Sequence, residues 1–320
     1  MPSSSQARRE RAVRMGSGRL GGIGEFVPVR PLIRCLCWLT RTWPGLPGRW
    51  RLVEWLGHHQ SLVATCGTAT IRVGGGYRMH VNPADFTERP IWINGFDPRD
   101  QQTLFFRQSL RPGDCVLDIG ANVGYYSLLA ASLVGPGGSV HAFEPCETAL
   151  TSLRRNVALN PAAAVTLHPL ALADRVQSAP FFVASEAHTG LSSLRDLGDR
   201  THRVAEVATA PLDHLIDTIP PVRLMKIDVE GAELRVLRGA RGLLERDRPD
   251  LLLELTDAFL QELGGSAEQV CEWLAGFGYS LYRIGAHAHL QPIHQAPLEQ
   301  CHVLAPGRST RIELGRFLEP

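Results

Sequence analysis

A single lysine, Lys226, stands among 33 basic side chains, and 32 acids offset them. The formal net charge of +1 leaves no basic surplus of the kind that draws a chain to nucleic acid. No run of about 18 apolar residues occurs, so no membrane-spanning helix is expected. The start of the chain carries Arg8, Arg9, Arg11 and Arg14, but Gly16 to Gly24 supplies no apolar core for a signal peptide. None of the seven cysteines forms a C-x-x-C pair, which argues against a zinc ribbon or a thioredoxin-like site. Cys115 lies inside an apolar run, where a reduced, buried thiol is expected; this suits a reducing, cytoplasmic setting. The G-x-G-x-x-G spacing of a dinucleotide loop is also missing.

What is present reads as an ordinary globular chain, 44% hydrophobic and 20% charged, long enough for one large domain with an appendage. Residues 1–28 are polar and glycine-rich and read as a disordered leader. Residues 29–66 form an amphipathic helical segment, split by Pro44 and Pro47, in which four tryptophans alternate with arginines. Such a basic, Trp-bearing stretch suits weak contact with a membrane surface, while packing on the main domain is the commoner fate. Residues 67–110 read as a hairpin closed by Gly74, Gly75 and Gly76, followed by a helix over 99–110.

From residue 111 to 306 short apolar strands alternate with helices. Strands are expected at 114–119, 139–144, 164–168, 223–228, 251–256, 279–284 and 301–305. Helices are expected near 123–134, 147–159, 231–246 and 265–277, with extra strands at 180–184 and 204–209 and a tail over 307–320. The alternation predicts an α/β fold: a doubly wound, Rossmann-like sheet, mostly parallel, with an antiparallel edge hairpin from the last two strands. Ligands of such sheets bind at the carboxyl ends of the strands.

The strand Cys115–Ile119 runs into Gly120-Ala121-Asn122-Val123-Gly124, which opens a helix. Glycines there let the backbone approach a ligand, and Asn122 tolerates positive φ. Asp118 just before the loop would repel a pyrophosphate and suits a cationic ligand. Glu144 ends the next strand, where a carboxylate accepts hydrogen bonds from ribose hydroxyls. Together they favour S-adenosylmethionine, which carries an ammonium and a sulfonium and no phosphate, over a nicotinamide dinucleotide.

The stretches P-G-D-C-V-L-D-I-G-A-N-V-G-Y-Y-S, V-H-A-F-E-P and M-K-I-D-V-E-G-A-E-L-R-V-L-R-G-A resemble the FkbM family of S-adenosylmethionine-dependent methyltransferases. R-P-D-L-L-L-E-L and A-P-L-D-H-L also fit, as does N-G-F-D-P, although that family often has Glu where Asp97 stands. The resemblance runs over about residues 75–305. It implies a class I methyltransferase fold, S-adenosylmethionine as cofactor, and O-methylation of a sugar, glycolipid or other small molecule. It further implies that Asp118, Gly120, Asn122 and Gly124 form the methionine-side loop, that Glu144 meets the ribose, and that Asp174 neighbours the adenine. Action on protein or nucleic acid, or cofactor binding without catalysis, are the alternatives. No N-P-P-Y-type segment, frequent in N-methyltransferases of nucleobases and glutamine, is present.

Asp228 lies at the carboxyl end of its strand and Glu230 begins a helix, which makes them the candidate catalytic bases, Asp228 first. The competing reading for Glu230 and Glu233 is two acids meeting a helix dipole. Lys226 shares a strand face with Asp228 and needs a buried partner, for which Glu254 is the expectation. The loop His188–Ser193 is a candidate cover for the site. His287, His289, His294 and His302 fit no zinc spacing and read as surface or edge-strand residues, and nothing in the carboxylate spacing demands a metal.

Overall fold

A computed structural model describes residues 29–43, 47–73, 76–96, 100–185 and 188–318. The expected leader, the hairpin glycines Gly74 and Gly75, and Asp97 lie outside the described residues.

The N-terminal layer begins with α1 (Val29–Thr42), α2 (Arg49–His58) and α3 (Gln60–Ala64). An antiparallel pair follows, β1 (Ala69–Arg72) with β2 (Arg78–Val81), then α4 (Glu88–Asn94) and α5 (Gln102–Ser109). Every third or fourth residue of α1 turns inward: Ile33, Cys37 and Thr40 are buried. Thr40 Oγ1 donates to the Ile93 carbonyl across 2.5 Å, and Arg49 Nε donates to the Thr40 carbonyl across 2.9 Å, so α1, α2 and α4 form one layer. The layer shares a core with the main domain through Phe105, Phe106, Leu128 and Leu129.

The main sheet takes its strands from β3 (Cys115–Ile119), β4 (Ser139–Phe143), β5 (Val165–His168), β9 (Val222–Ile227), β10 (Asp250–Leu255), β11 (Tyr282–Ile284), β12 (Leu290–Pro292) and β13 (Cys301–Ala305). Their order is β12-β11-β13-β10-β9-β3-β4-β5. Neighbours from β10 through β5 run parallel, and β13 is antiparallel to both β10 and β11. The doubly wound, mostly parallel architecture is therefore present, with one difference at the edge. The 301–305 strand lies inside, between β10 and β11, and the edge hairpin is made by β11 with the unforeseen β12. Three residues of β12 are too few for a period-2 pattern to register.

Both faces of the sheet are covered, which explains the continuous apolar runs of its strands. Successive side chains alternate between two cores: Val116, Leu224 and Leu252 face α6 (Tyr125–Val134) and the N-terminal layer, while Leu117, Met225 and Leu253 face the opposite side. α7 (Glu147–Ala158) follows β4. β6 (Ala171–Leu172), β7 (Gln177–Ala184) and β8 (Thr201–Ala210) form a separate sheet in the order β6-β8-β7.

The helix expected over 231–246 is two helices, α8 (Glu233–Gly239) and α9 (Arg241–Asp247), broken at Ala240. The break has a cause. The Asp213 carboxylate accepts from the backbone N–H of Gly242 (2.8 Å) and Leu243 (3.0 Å), which caps a fresh helix N-terminus there. α10 (Asp257–Glu262) and α11 (Ala267–Gly276) complete the fold; Ser266 caps α11 by accepting from Gln269 N–H at 3.2 Å.

The chain leaves β3 toward β4 and β5 on one side and returns through β9 and β10 on the other. The crevice of such a sheet opens above β3 and β9, at the carboxyl ends of the strands.

Candidate active site

The floor of that crevice is the turn after β3. Gly120 has φ +80°, and a Cβ there would stand 1.8 Å from the Asp228 carbonyl oxygen, so only glycine lets β3 and the turn after β9 come together. Gly120 and Ala121 N–H both donate to the Phe143 carbonyl at 3.0 Å, and Asp228 N–H donates to the Ile119 carbonyl at 3.0 Å. Asn122 takes a left-handed φ of 48°. Gly124, φ +94°, packs under Leu153 of α7.

Glu144 follows β4 and is bound by the same turn. Its Oε2 accepts from Asn122 N–H and its Oε1 from Cys146 N–H, each at 2.8 Å. Burial pushes its carboxyl up to about 7, against the pull of those two N–H groups. Each oxygen keeps a second lone pair for a ligand hydroxyl.

Asp118 sits below the turn instead of facing the crevice. It is fully buried, accepts from Ser127 Oγ at 2.5 Å, and lies 3.8 Å from Lys226 Nζ. Lys226, also buried, donates to Asp228 Oδ2 at 3.0 Å and has the Tyr126 ring 4.9 Å from its ammonium. Burial works against the ammonium, yet Asp228 and Asp118 outweigh it and hold the pKa above the ordinary lysine value. The expected partner Glu254 takes a different one: its Oε2 stands 3.4 Å from His302 Nε2, while Gln300 donates to its Oε1. Burial raises Asp228 in spite of Lys226.

Glu230, at φ 53°, is pushed up to about 9 by burial and by the neighbouring Asp228, Glu254 and Glu233, so it carries its proton at neutral pH. Glu233 holds the turn: its Oε1 accepts from Val229 N–H (3.2 Å) and Gly231 N–H (3.1 Å).

Two connected hollows result. The first lies over β4, lined by Phe143, Glu144, Pro145, Leu170, Leu172 and Val229. The second, about 610 Å³, runs under the N-terminal layer and is lined by Glu88, Tyr126, Lys226, Glu230, Glu254 and His302 among others. Gly120, Asn122, Gly190 and Glu230 line both. The predicted residues Gly120, Asn122, Glu144, Asp228 and Glu230 thus meet at one crevice, with Asp118 and Gly124 behind it. Asp174 does not reach it: it is a quarter exposed and pairs with exposed Arg175 at 3.4 Å. Its place beside the first hollow is taken by Leu170, Ala171 and Leu172. The His188–Ser193 loop does reach the site; the His188 ring stacks on Phe86 at 6.2 Å, and Ser193 Oγ donates to the Glu230 carbonyl at 2.9 Å.

The residues not foreseen are His302, Glu254 as its partner, and Glu88, whose carboxyl burial pushes up to about 8. His302 is on an internal strand. Asp118 and Lys226 are in register across β3 and β9, and Glu254 and His302 are in register across β10 and β13 two residues further along, all on one face of four adjacent strands. Period-2 alternation within each strand carries that signal, but only once the strand order is known.

The turn fits a nucleoside bearing hydroxyls and positive charge. Asn122 Oδ1 is buried without a hydrogen-bond partner among the described residues, and the acids at the crevice outnumber its one ammonium.

Comparison with known proteins agrees. The family described as "Methyltransferase FkbM domain" matches residues 118–281, half of the chain. The chain is 30% identical over 244 residues to "31-O-demethyl-FK506 methyltransferase FkbM" of Streptomyces tacrolimicus, which spans 66% of this chain and 89% of that relative. It is 27% identical over 144 residues to "Methyltransferase 1" of Beauveria bassiana (strain ARSEF 2860), covering 39% of this chain and 57% of that one. A solved structure of a methyltransferase FkbM from Methylobacillus flagellatus KT aligns at a TM-score of 0.38 and 16% identity, over 79% of this chain and 59% of that one. The chain belongs to the FkbM family of methyltransferases, with S-adenosylmethionine as its methyl donor.

Proposed function

We propose that this enzyme transfers the methyl group to a hydroxyl of a small molecule such as a sugar, a glycolipid or a secondary metabolite. The observation that carries the reading is the second hollow. At about 610 Å³ it has the size of a site for one small ligand. Its lining holds Glu88, Asp100, Glu230 and Glu254 but only one basic side chain other than histidine, the already paired Lys226. A phosphate backbone finds no counter-charge there. A relative named for 31-O-demethyl-FK506 supports oxygen as the acceptor atom.

In this reading Gly120, Asn122 and Glu144 hold the donor's methionine and ribose portions, Phe143 and Leu172 flank its base, and Asp118 and Gly124 support the turn from behind. S-adenosylmethionine supplies an electrophilic methyl group carried on a sulfonium. The chain's own task is to orient a hydroxyl in line with that methyl, which is worth roughly 7–11 kcal/mol, and to receive the hydroxyl proton. Three groups compete for the proton. Glu230 already carries one at neutral pH and is suited to donating a hydrogen bond. Asp228 is committed to Lys226. His302 has Nε2 directed at Glu254, which leaves Nδ1 as a base, and Glu254 raises its basicity above the ordinary histidine value against the effect of burial. His302 is the proposed proton acceptor, with Asp228 and Glu230 shaping its field.

The test is incubation with methyl-¹³C S-adenosylmethionine and a fractionated small-molecule extract. A methoxy ¹³C resonance in a small-molecule product is the expected result. Label appearing only in protein or RNA, when these are added instead, overturns the acceptor class while leaving the family intact.

A further inference from the structure

Seven of the thirteen exposed large apolar side chains among the described residues fall within residues 29–62. Trp38, Trp43, Trp50 and Trp55, each between 42% and 59% exposed, are four of the six tryptophans of the chain. Leu32 and Leu62 accompany them. These helices are not short of internal packing. Ile33, Cys37, Leu56 and Val63 are fully buried in the shared core, so the tryptophans belong to a second, outward face. On α1 the buried seam is Ile33, Cys37 and Thr40, and the side away from it carries Leu32, Cys35 and Trp38.

Charge accompanies the indoles. Arg30, Arg34 and Arg51 are exposed on α1 and α2, and Glu54 is the only acid in residues 29–66. The sequence leading into α1 adds five arginines, Arg8, Arg9, Arg11, Arg14 and Arg19, against Glu10 and Glu25. The whole chain is nearly neutral, so this positive charge is concentrated in the first 66 residues of the sequence and balanced elsewhere. A face that joins indole rings, aliphatic side chains and guanidinium groups matches the interfacial region of a bilayer, where aromatic rings sit at headgroup level and arginines meet anionic lipid. No helix among the described residues is long and apolar enough to cross a membrane, so the contact is parallel to the surface.

We propose that the outer face of α1–α3 docks this enzyme onto an anionic membrane surface. The same layer roofs the second hollow. α1 is tied to α4 by the Thr40 and Arg41 bonds to the Ile93 and Trp92 carbonyls, and Glu88 and Ile91 of α4 line that hollow. Docking therefore sets the layer that roofs the acceptor site against the lipid. The docking itself does not depend on which acceptor is methylated.

The experiment is co-sedimentation of the full chain with vesicles of phosphatidylglycerol and phosphatidylcholine (1:1) and with pure phosphatidylcholine, read together with tryptophan emission. Binding to the anionic vesicles at least ~10-fold stronger than to the neutral ones is expected, with a blue-shifted emission and weakening in 0.5 M salt. Trp38→Ser/Trp50→Ser/Trp55→Ser should lose that binding at an unchanged melting temperature, and Arg30→Gln/Arg51→Gln should weaken it by several fold. Equal binding to both vesicle types, no binding, or variants that bind as the parent does would overturn the proposal. So would a concentration-dependent dimer that the tryptophan variant abolishes, because the face would then be covered by a second copy. Circular dichroism of each variant separates loss of the surface from loss of the fold.

Discussion

The two halves of the crevice are built by opposite means. The polar part of the nucleoside side is contiguous in the chain, from β3 through Cys146, with Leu170, Leu172 and Val229 added from elsewhere. It is fixed by backbone: a turn that only glycine permits, and a carboxylate gripped by two N–H groups. The acceptor side is assembled from Glu88, Asp100, Lys226, Glu254 and His302, far apart in sequence; there His302 pairs with Glu254 and Lys226 with Asp228, side chain to side chain. The first half tolerates little change, since a misplaced backbone has no rotamer with which to adjust. The second can be altered residue by residue while the turn stays intact.

Substitutions that strike one half and spare the other sharpen this contrast. The largest effect is expected from His302→Gln. With the proposed base removed, kcat on the acceptor should fall by about 10²–10⁴-fold, while affinity for S-adenosylhomocysteine changes little. The pH profile gives the sign. His302 accepts a proton only when neutral, and Glu254 holds its pKa above 6.5 in spite of burial, so the rate should be lost as pH falls through a value above 6.5. In Glu254→Gln that limb should move to lower pH. A profile unchanged in both variants removes His302 from the chemistry.

Gly120→Ala strikes the other half. The added methyl meets the Asp228 carbonyl and demands a left-handed alanine, so S-adenosylhomocysteine binding should weaken by at least ~100-fold. Near-parental binding would mean that the turn moves freely, which contradicts a backbone-built site.

A subtler effect concerns protons. Glu144 sits at about 7 in the free protein, and ribose hydroxyls favour its ionised form. Binding at pH 7 should therefore release up to about half a proton, seen by calorimetry in buffers of different ionisation enthalpy and absent in Glu144→Gln. The smallest effect is expected from Asp174→Asn, with affinity within about twofold of the parent, because that carboxylate lies off the crevice beside Arg175. A large loss there would restore the adenine role implied by family resemblance.

The same contrast decides what the sequence discloses. Gly120, Asn122, Glu144 and their spacing are local features, so a linear reading finds them, together with the order of strands and helices. Asp118 was legible as a required acid but not as a buried one, because its charge is answered by Lys226 from the adjoining strand. The pairing of Glu254 with His302, and the insertion of β13 between β10 and β11, depend on strand order, which a linear pattern does not encode. The break at Ala240 was invisible for a similar reason: the Asp213 that caps the second helix comes from a 3-10 turn about thirty residues earlier in the chain. For the N-terminal helices the amphipathic pattern was correct and incomplete, since one stripe faces the core and the tryptophans face out.

The central claim is that the Gly120 turn and Glu144 form a cradle for the donor's nucleoside. Calorimetric titration of the full chain and of Glu144→Ala with S-adenosylhomocysteine, and with NAD as the competing nucleotide, tests it most directly. The account predicts saturable S-adenosylhomocysteine binding that weakens about 10–100-fold in the variant, and no measurable heat with NAD. NAD binding as tightly as S-adenosylhomocysteine, or a variant that binds as the parent does, would contradict it.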